Sequence, residues 1–99
     1  MTVKARLAFP VFSPEGWQRM RAAAVDGERL HDSAEQYDAA NWERVERHTA
    51  AGHLVELVQV DAGALIAWCR AERIPLDSRA RHLFTLRTVA ARDARAGHA

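Results

Sequence analysis

The sequence predicts a small α/β domain of the α+β kind, ordered β-α-α-β-α-α, with its helices packed on a two-stranded sheet. Three observations carry the prediction. From His53 to Arg73, Leu54, Val55, Leu57, Val58 and Val60 crowd one short run, and a helical stripe of Ala62, Leu65, Ile66 and Cys69 follows at once. Near the start, Val3, Ala5, Leu7 and Phe9 alternate with Lys4, Arg6 and Ala8, the period of a half-buried strand. Elsewhere, helix-start signals at Ser13-Pro14-Glu15, Ser33 with Gln36, Asp61 and Asp77 divide the chain into four helices. The 99 residues suit a single domain, residues 1–99; at that size folding buries roughly two-thirds of the unfolded surface, enough for a core without disulfides.

Each element has a local reason. The first strand covers Val3 to Phe9 and is stopped by Pro10, and its charged outer face suits an edge position. The first helix starts at Ser13, carries Trp17, Met20 and Ala24 on one side, and ends near Asp26-Gly27. Glu28 to Asp32 reads as loop. The second helix runs from Ala34 to Ala51 with Gly52 as a left-handed cap. Its apolar stripe is thin: Tyr37, Trp42 and Val45, with Asn41 and His48 beside them. The second strand is apolar on both faces, as strands covered on both sides are. The third helix ends near Arg73 because Pro75 forces Ile74 out of helical geometry. The last helix runs from Ser78 to about Arg95, with Leu83, Leu86 and Ala90 as its core row, Phe84 widening it, and the final residues frayed. Two strands make a poor free-standing sheet. A homodimer that combines strands from two subunits is the expected solution.

Hydrophobic residues at 48% and charged residues at 27% place the chain among globular rather than disordered sequences. One cysteine excludes an internal disulfide and fits a reducing compartment. No stretch approaches a membrane span and the first residues lack a signal-peptide core, so a cytoplasmic location is expected. Net charge is +1, but residues 1–61 carry −3 and residues 62–99 carry +4. That asymmetry favours attraction between halves or subunits, or a modest anion-facing surface.

Candidate sites are few. Cys69 lies on a core stripe late in its helix, where the dipole disfavours a thiolate, so it reads as a buried structural thiol. The histidines, His31, His48, His53, His82 and His98, show no metal-ligand spacing, and no metal or cofactor is expected. Glu56 stands among apolar strand residues; it is either solvated or arginine-paired, or a pocket carboxylate with raised proton affinity. Arg79 and Arg81 occupy the first turn of the last helix, where the dipole favours acids. With Ser78 and free backbone N–H groups they form a candidate anion site, unless Asp77 caps that end itself. The helix-turn-helix outline of residues 62–95 extends this to nucleic acid, with Arg79, Arg81, His82 and Arg87 facing the phosphates. Trp42, on a polar helix, is the candidate interface aromatic.

The segments Trp68-Cys69 and Asp77-Ser78-Arg79-Ala80-Arg81, followed by Phe84, resemble a pattern shared by short, uncharacterised bacterial proteins. The resemblance covers roughly residues 53–86 and implies a bacterial cytoplasmic domain without implying any activity. The residues themselves point first to a non-catalytic protein-interaction or regulatory accessory module, contacting its partner through Trp42 and the basic start of the last helix. A nucleic-acid-binding protein using residues 77–87 is the second reading. A small ligand-binding protein or enzyme around Glu56 and His48 or His53 is the third.

Overall fold

The computed structural model describes residues 5–97. Their elements are β1 (Arg6–Val11), α1 (Pro14–Ala23), a 3-10 turn (Gly27–Arg29), α2 (Ala34–Ala50), β2 (Leu54–Gln59), α3 (Ala62–Glu72) and α4 (Ser78–Ala96). The order β-α-α-β-α-α holds, and the helices pack on a two-stranded sheet. The expected strand start at Val3 and the frayed residues 98–99 lie outside the described residues.

The helix starts form where side-chain oxygens replace missing intrahelical partners. Ser13 Oγ accepts from Gly16 N–H at 3.0 Å, Ser33 Oγ from Gln36 at 3.1 Å, Asp61 from Ala64 at 3.0 Å and Asp77 from Ala80 at 2.9 Å. Gln36 closes its capping box on the N–H of Asp32 rather than of Ser33. Gly52, just past α2, has φ +93°, a left-handed conformation that costs glycine nothing. Arg73 takes the same role after α3 with φ +56°. α1 stops earlier than expected, at Ala23, and part of the expected loop winds into the 3-10 turn.

β1 and β2 pair in parallel, Arg6 opposite Leu54 through Val11 opposite Gln59. The strand does not stop at Pro10 but passes through it. Leu54 N–H donates to Ala5 O and Val60 N–H to Val11 O, so in β1 the odd-numbered residues direct their backbone groups at β2. Pro10 therefore turns its missing donor to the free edge, where proline costs no ladder bond. Partners in register share a face. One face carries Arg6, Ala8, Leu54, Glu56 and Val58, and α4 packs there through Arg6–Asp93 and Glu56–Arg92. The opposite face carries Leu7, Phe9, Val55 and Leu57, and α2 reaches it where His48 and Arg44 meet the Phe9 ring.

The core collects at the C-terminal end of the strands. Phe12, Trp17, Met20, Val58, Val60, Leu65, Cys69, Leu76 and Ala80 are all buried in one cluster, with Trp68 and Phe84 packed against it. Two expectations about faces need correction. Cover on β2 is only partial in the single chain: α4 and α2 reach opposite faces and Val58 is buried, yet Leu54 is 52% and Leu57 49% exposed. A two-stranded sheet has no interior strand, so β2 is an edge. The row Leu83 and Leu86 turns outward, 39% and 43% exposed, while Ala80 and Thr85 face in. Small residues there allow close approach of α4, and Thr85 satisfies its buried hydroxyl on Arg81 O at 2.7 Å. In α2 the inward stripe is Ala34, Asn41 and Val45, flanked by Tyr37 and His48, with Trp42 outside it.

Candidate functional site

The residues proposed for anion binding do not converge. Arg81 turns inward and donates from both terminal nitrogens to Asp26, at 3.0 and 2.7 Å. That guanidinium holds the Asp26 carboxyl below the usual carboxylate range, against a burial effect that pushes it up. Beside this clamp, Val25 N–H donates to Leu76 O at 3.0 Å, so the loop after α1 is tied to the loop before α4. Asp77 caps α4 and occupies one of the donors an anion would need. Arg87 lies over the Trp68 ring, 5.5 Å from its centroid. Arg79 is exposed on the outer side of α4. Of the four, Ser78 and Arg81 border a common groove; Arg79 and Arg87 do not.

Glu56 sits between two guanidiniums, Arg92 at 2.6 Å and Arg6 at 3.3 Å. It is the arginine-paired carboxylate of the blander expectation. Arg92 holds its proton more firmly for the hydrogen bond to Glu56. His48 and His53 meet at the α2–β2 turn with their rings tilted 56° to each other, centroids 5.7 Å apart. His48 meets Phe9 on the sheet face opposite Glu56, so the carboxylate and the imidazole do not share a site. Cys69 is buried, and burial first, then the Asp77 charge, push its thiol up. Among the described residues no group of three or more His, Cys, Asp or Glu is placed to hold a metal ion, and no helix is long and apolar enough to cross a membrane.

Two features remain once these are accounted for, and both belong to the edges of the sheet. Along β1 runs a groove of about 320 Å³ between α2 and α4. Phe9, Phe12, Trp17 and Tyr37 line it, with Arg44 and His82 at its rim. Trp17 stacks on Tyr37 at 4.6 Å and donates from Nε1 to His31 O, while the Tyr37 hydroxyl donates to Pro10 O at 3.1 Å. Burial pushes the Tyr37 phenol up, so it stays neutral. Asn41, between Tyr37 and Arg44 on the same side of α2, is buried with Oδ1 unpaired among the described residues. Arg44 escaped sequence reasoning because its partner Phe9 is 35 positions away and no local pattern links them.

Along β2, no further strand pairs with the outer edge among the described residues. By the alternation fixed at Leu54 and Val60, the N–H and C=O groups of Val55, Leu57 and Gln59 point away from β1. Leu57 stands half exposed beside them. Trp42, 55% exposed, lies two residues before Arg44, about 200° around the helix. Since Arg44 reaches over Phe9, Trp42 stands on the flank of α2 away from that contact. Compared with protein-family models, with curated proteins and with solved structures, the chain gives no match.

Proposed function

We propose that the protein is a non-catalytic protein-interaction module, a regulatory accessory rather than an enzyme, whose working form is a homodimer joined along β2. The outer edge of β2 carries this reading. Exposed strand edges are templates for pairing, and proteins blunt them with charge, proline or cover. The outward-bonding residues here, Val55, Leu57 and Gln59, include neither a charge nor a proline. Antiparallel pairing about a two-fold at Leu57 sets Leu57 against its copy and Val55 against Gln59 of the second copy, with each outward residue giving and accepting one bond. The result is a four-stranded sheet in which Leu57 is withdrawn from water. Glu56 held by two arginines and Cys69 buried with a raised thiol pKa support the absence of catalysis.

The test is mass in solution. Sedimentation equilibrium at micromolar concentration gives twice the chain mass for the wild type and the chain mass for Leu57→Lys, with unchanged circular dichroism. A wild type that sediments as a single chain at every concentration overturns the proposal, as does a Leu57→Lys variant that remains dimeric.

A further inference from the structure

The groove along β1 is a second surface, on the other edge of the sheet, and it does not depend on dimerisation. Its floor is aromatic and its rim is cationic. Arg44 makes no ion pair among the described residues; its guanidinium rests on the Phe9 ring, 5.1 Å from the centroid, with its N–H donors facing no carboxylate. His82, on the wall opposite, is exposed. Arg81 adds no free charge because Asp26 neutralises it.

The shape of the edge decides what kind of occupant fits. An added peptide strand needs a row of free backbone groups. Here that row is broken: Pro10 has no N–H, and Tyr37 already occupies the Pro10 carbonyl. Among the described residues of β1, Arg6 and Ala8 are left with outward backbone groups that have no partner. The volume, about 320 Å³, stands at the lower limit of small-molecule sites. An aromatic floor with one free guanidinium is complementary to a flat apolar body bearing one carboxylate.

We infer that this groove binds a small aromatic monocarboxylate, its ring against Phe9, Phe12 and Tyr37 and its carboxylate on Arg44. The Ala8 N–H supplies a further donor at the wall. No group of the protein changes covalently; the site is one of recognition, and its occupant ties α2 to the start of α4 across the β1 edge.

Titration with phenylacetate, followed by amide chemical shifts, tests the assignment. Saturable shifts are expected at Ala8, Phe9, Tyr37 and His82, with a dissociation constant at or below about 1 mM. Phenylacetamide, which has the same ring without the charge, binds about tenfold more weakly. Arg44→Gln weakens phenylacetate by a similar factor and leaves phenylacetamide unchanged. Arg44 is exposed, and an unchanged amide spectrum of the free variant establishes that it folds. Absence of saturable shifts at about 10 mM phenylacetate overturns the inference. So do equal affinities for acid and amide, or an Arg44→Gln variant that binds phenylacetate as the wild type does.

Discussion

Replacing Asp26 by Asn tests how the last helix is held in place. The carboxylate takes two hydrogen bonds from Arg81 in a bidentate arrangement, and the two side chains are only 24% and 12% exposed. An exposed ion pair is worth about 0–1 kcal/mol. Breaking a buried one costs about 3–5 kcal/mol because it strands a charge. This pair lies between those cases, so Asp26→Asn should cost about 2 kcal/mol. For a domain near 100 residues that lowers the melting temperature by about 10 °C. The loss also has a pH signature. Folding lowers the Asp26 pKa, chiefly through the Arg81 hydrogen bond, so the native state binds that proton less tightly than the unfolded chain. The stabilisation is complete above the unfolded value, about 3.9, and disappears as pH falls through the lower native one. Thermal melts of wild type and variant should therefore differ most at neutral pH, begin to converge below about pH 4, and meet only once pH has fallen past the lower native value. A double-mutant cycle with Arg81→Gln should return most of the loss as coupling. A variant within about 0.5 kcal/mol of wild type at neutral pH, or a gap that persists undiminished at about pH 2, refutes the argument.

Two further outcomes follow from packing. A Cβ at Gly27 would collide with the Arg21 carbonyl oxygen, a backbone atom that cannot swing aside; Gly27→Ala should cost at least about 2 kcal/mol in urea denaturation, and an unchanged midpoint contradicts the geometry. Burial raises the Cys69 thiol pKa, so an aromatic disulfide reagent at mildly alkaline pH should react only as fast as the domain opens; native reaction at the rate of the urea-unfolded chain contradicts burial.

The features legible in the sequence were those set by neighbours along the chain. Ser13, Ser33, Asp61 and Asp77 cap their helices because a cap is a three-residue affair. Gly52 ends α2 and Pro75 lies just past α3 for the same reason. The two strands and the element order follow from periodicity. What failed depended on neighbours in space. Leu83 and Leu86 have helical spacing and bulk, so they read as core. The sheet instead receives the side of α4 that carries Ala80, Thr85 and Arg92, since Asp26 fixes Arg81 and Glu56 fixes Arg92. Pro10 reads as a stop only if its nitrogen must face a partner strand, and pairing geometry turns it away. The predicted anion cluster dispersed because helical residues two positions apart point about 200° from each other: Arg79 outward, Arg81 inward.

The two edges of this sheet are treated differently, and the difference is a physical argument about assembly. On β1, proline removes a donor, tyrosine occupies an acceptor, and α2 and α4 wall the remainder into a groove. On β2, the outward backbone groups of Val55, Leu57 and Gln59 have no partner among the described residues, and Leu54 and Leu57 add apolar surface beside them. If both edges faced water in the working protein, both would be under the same pressure toward protection, because an unpaired edge recruits any other chain. Protection on one edge alone is what a two-fold pairing along the other requires. In the proposed dimer the two β2 strands lie inside a four-stranded sheet and the two guarded β1 edges lie outermost. The strand that reads as interior from its sequence would then be interior in the assembly, with its second side supplied by a copy of itself.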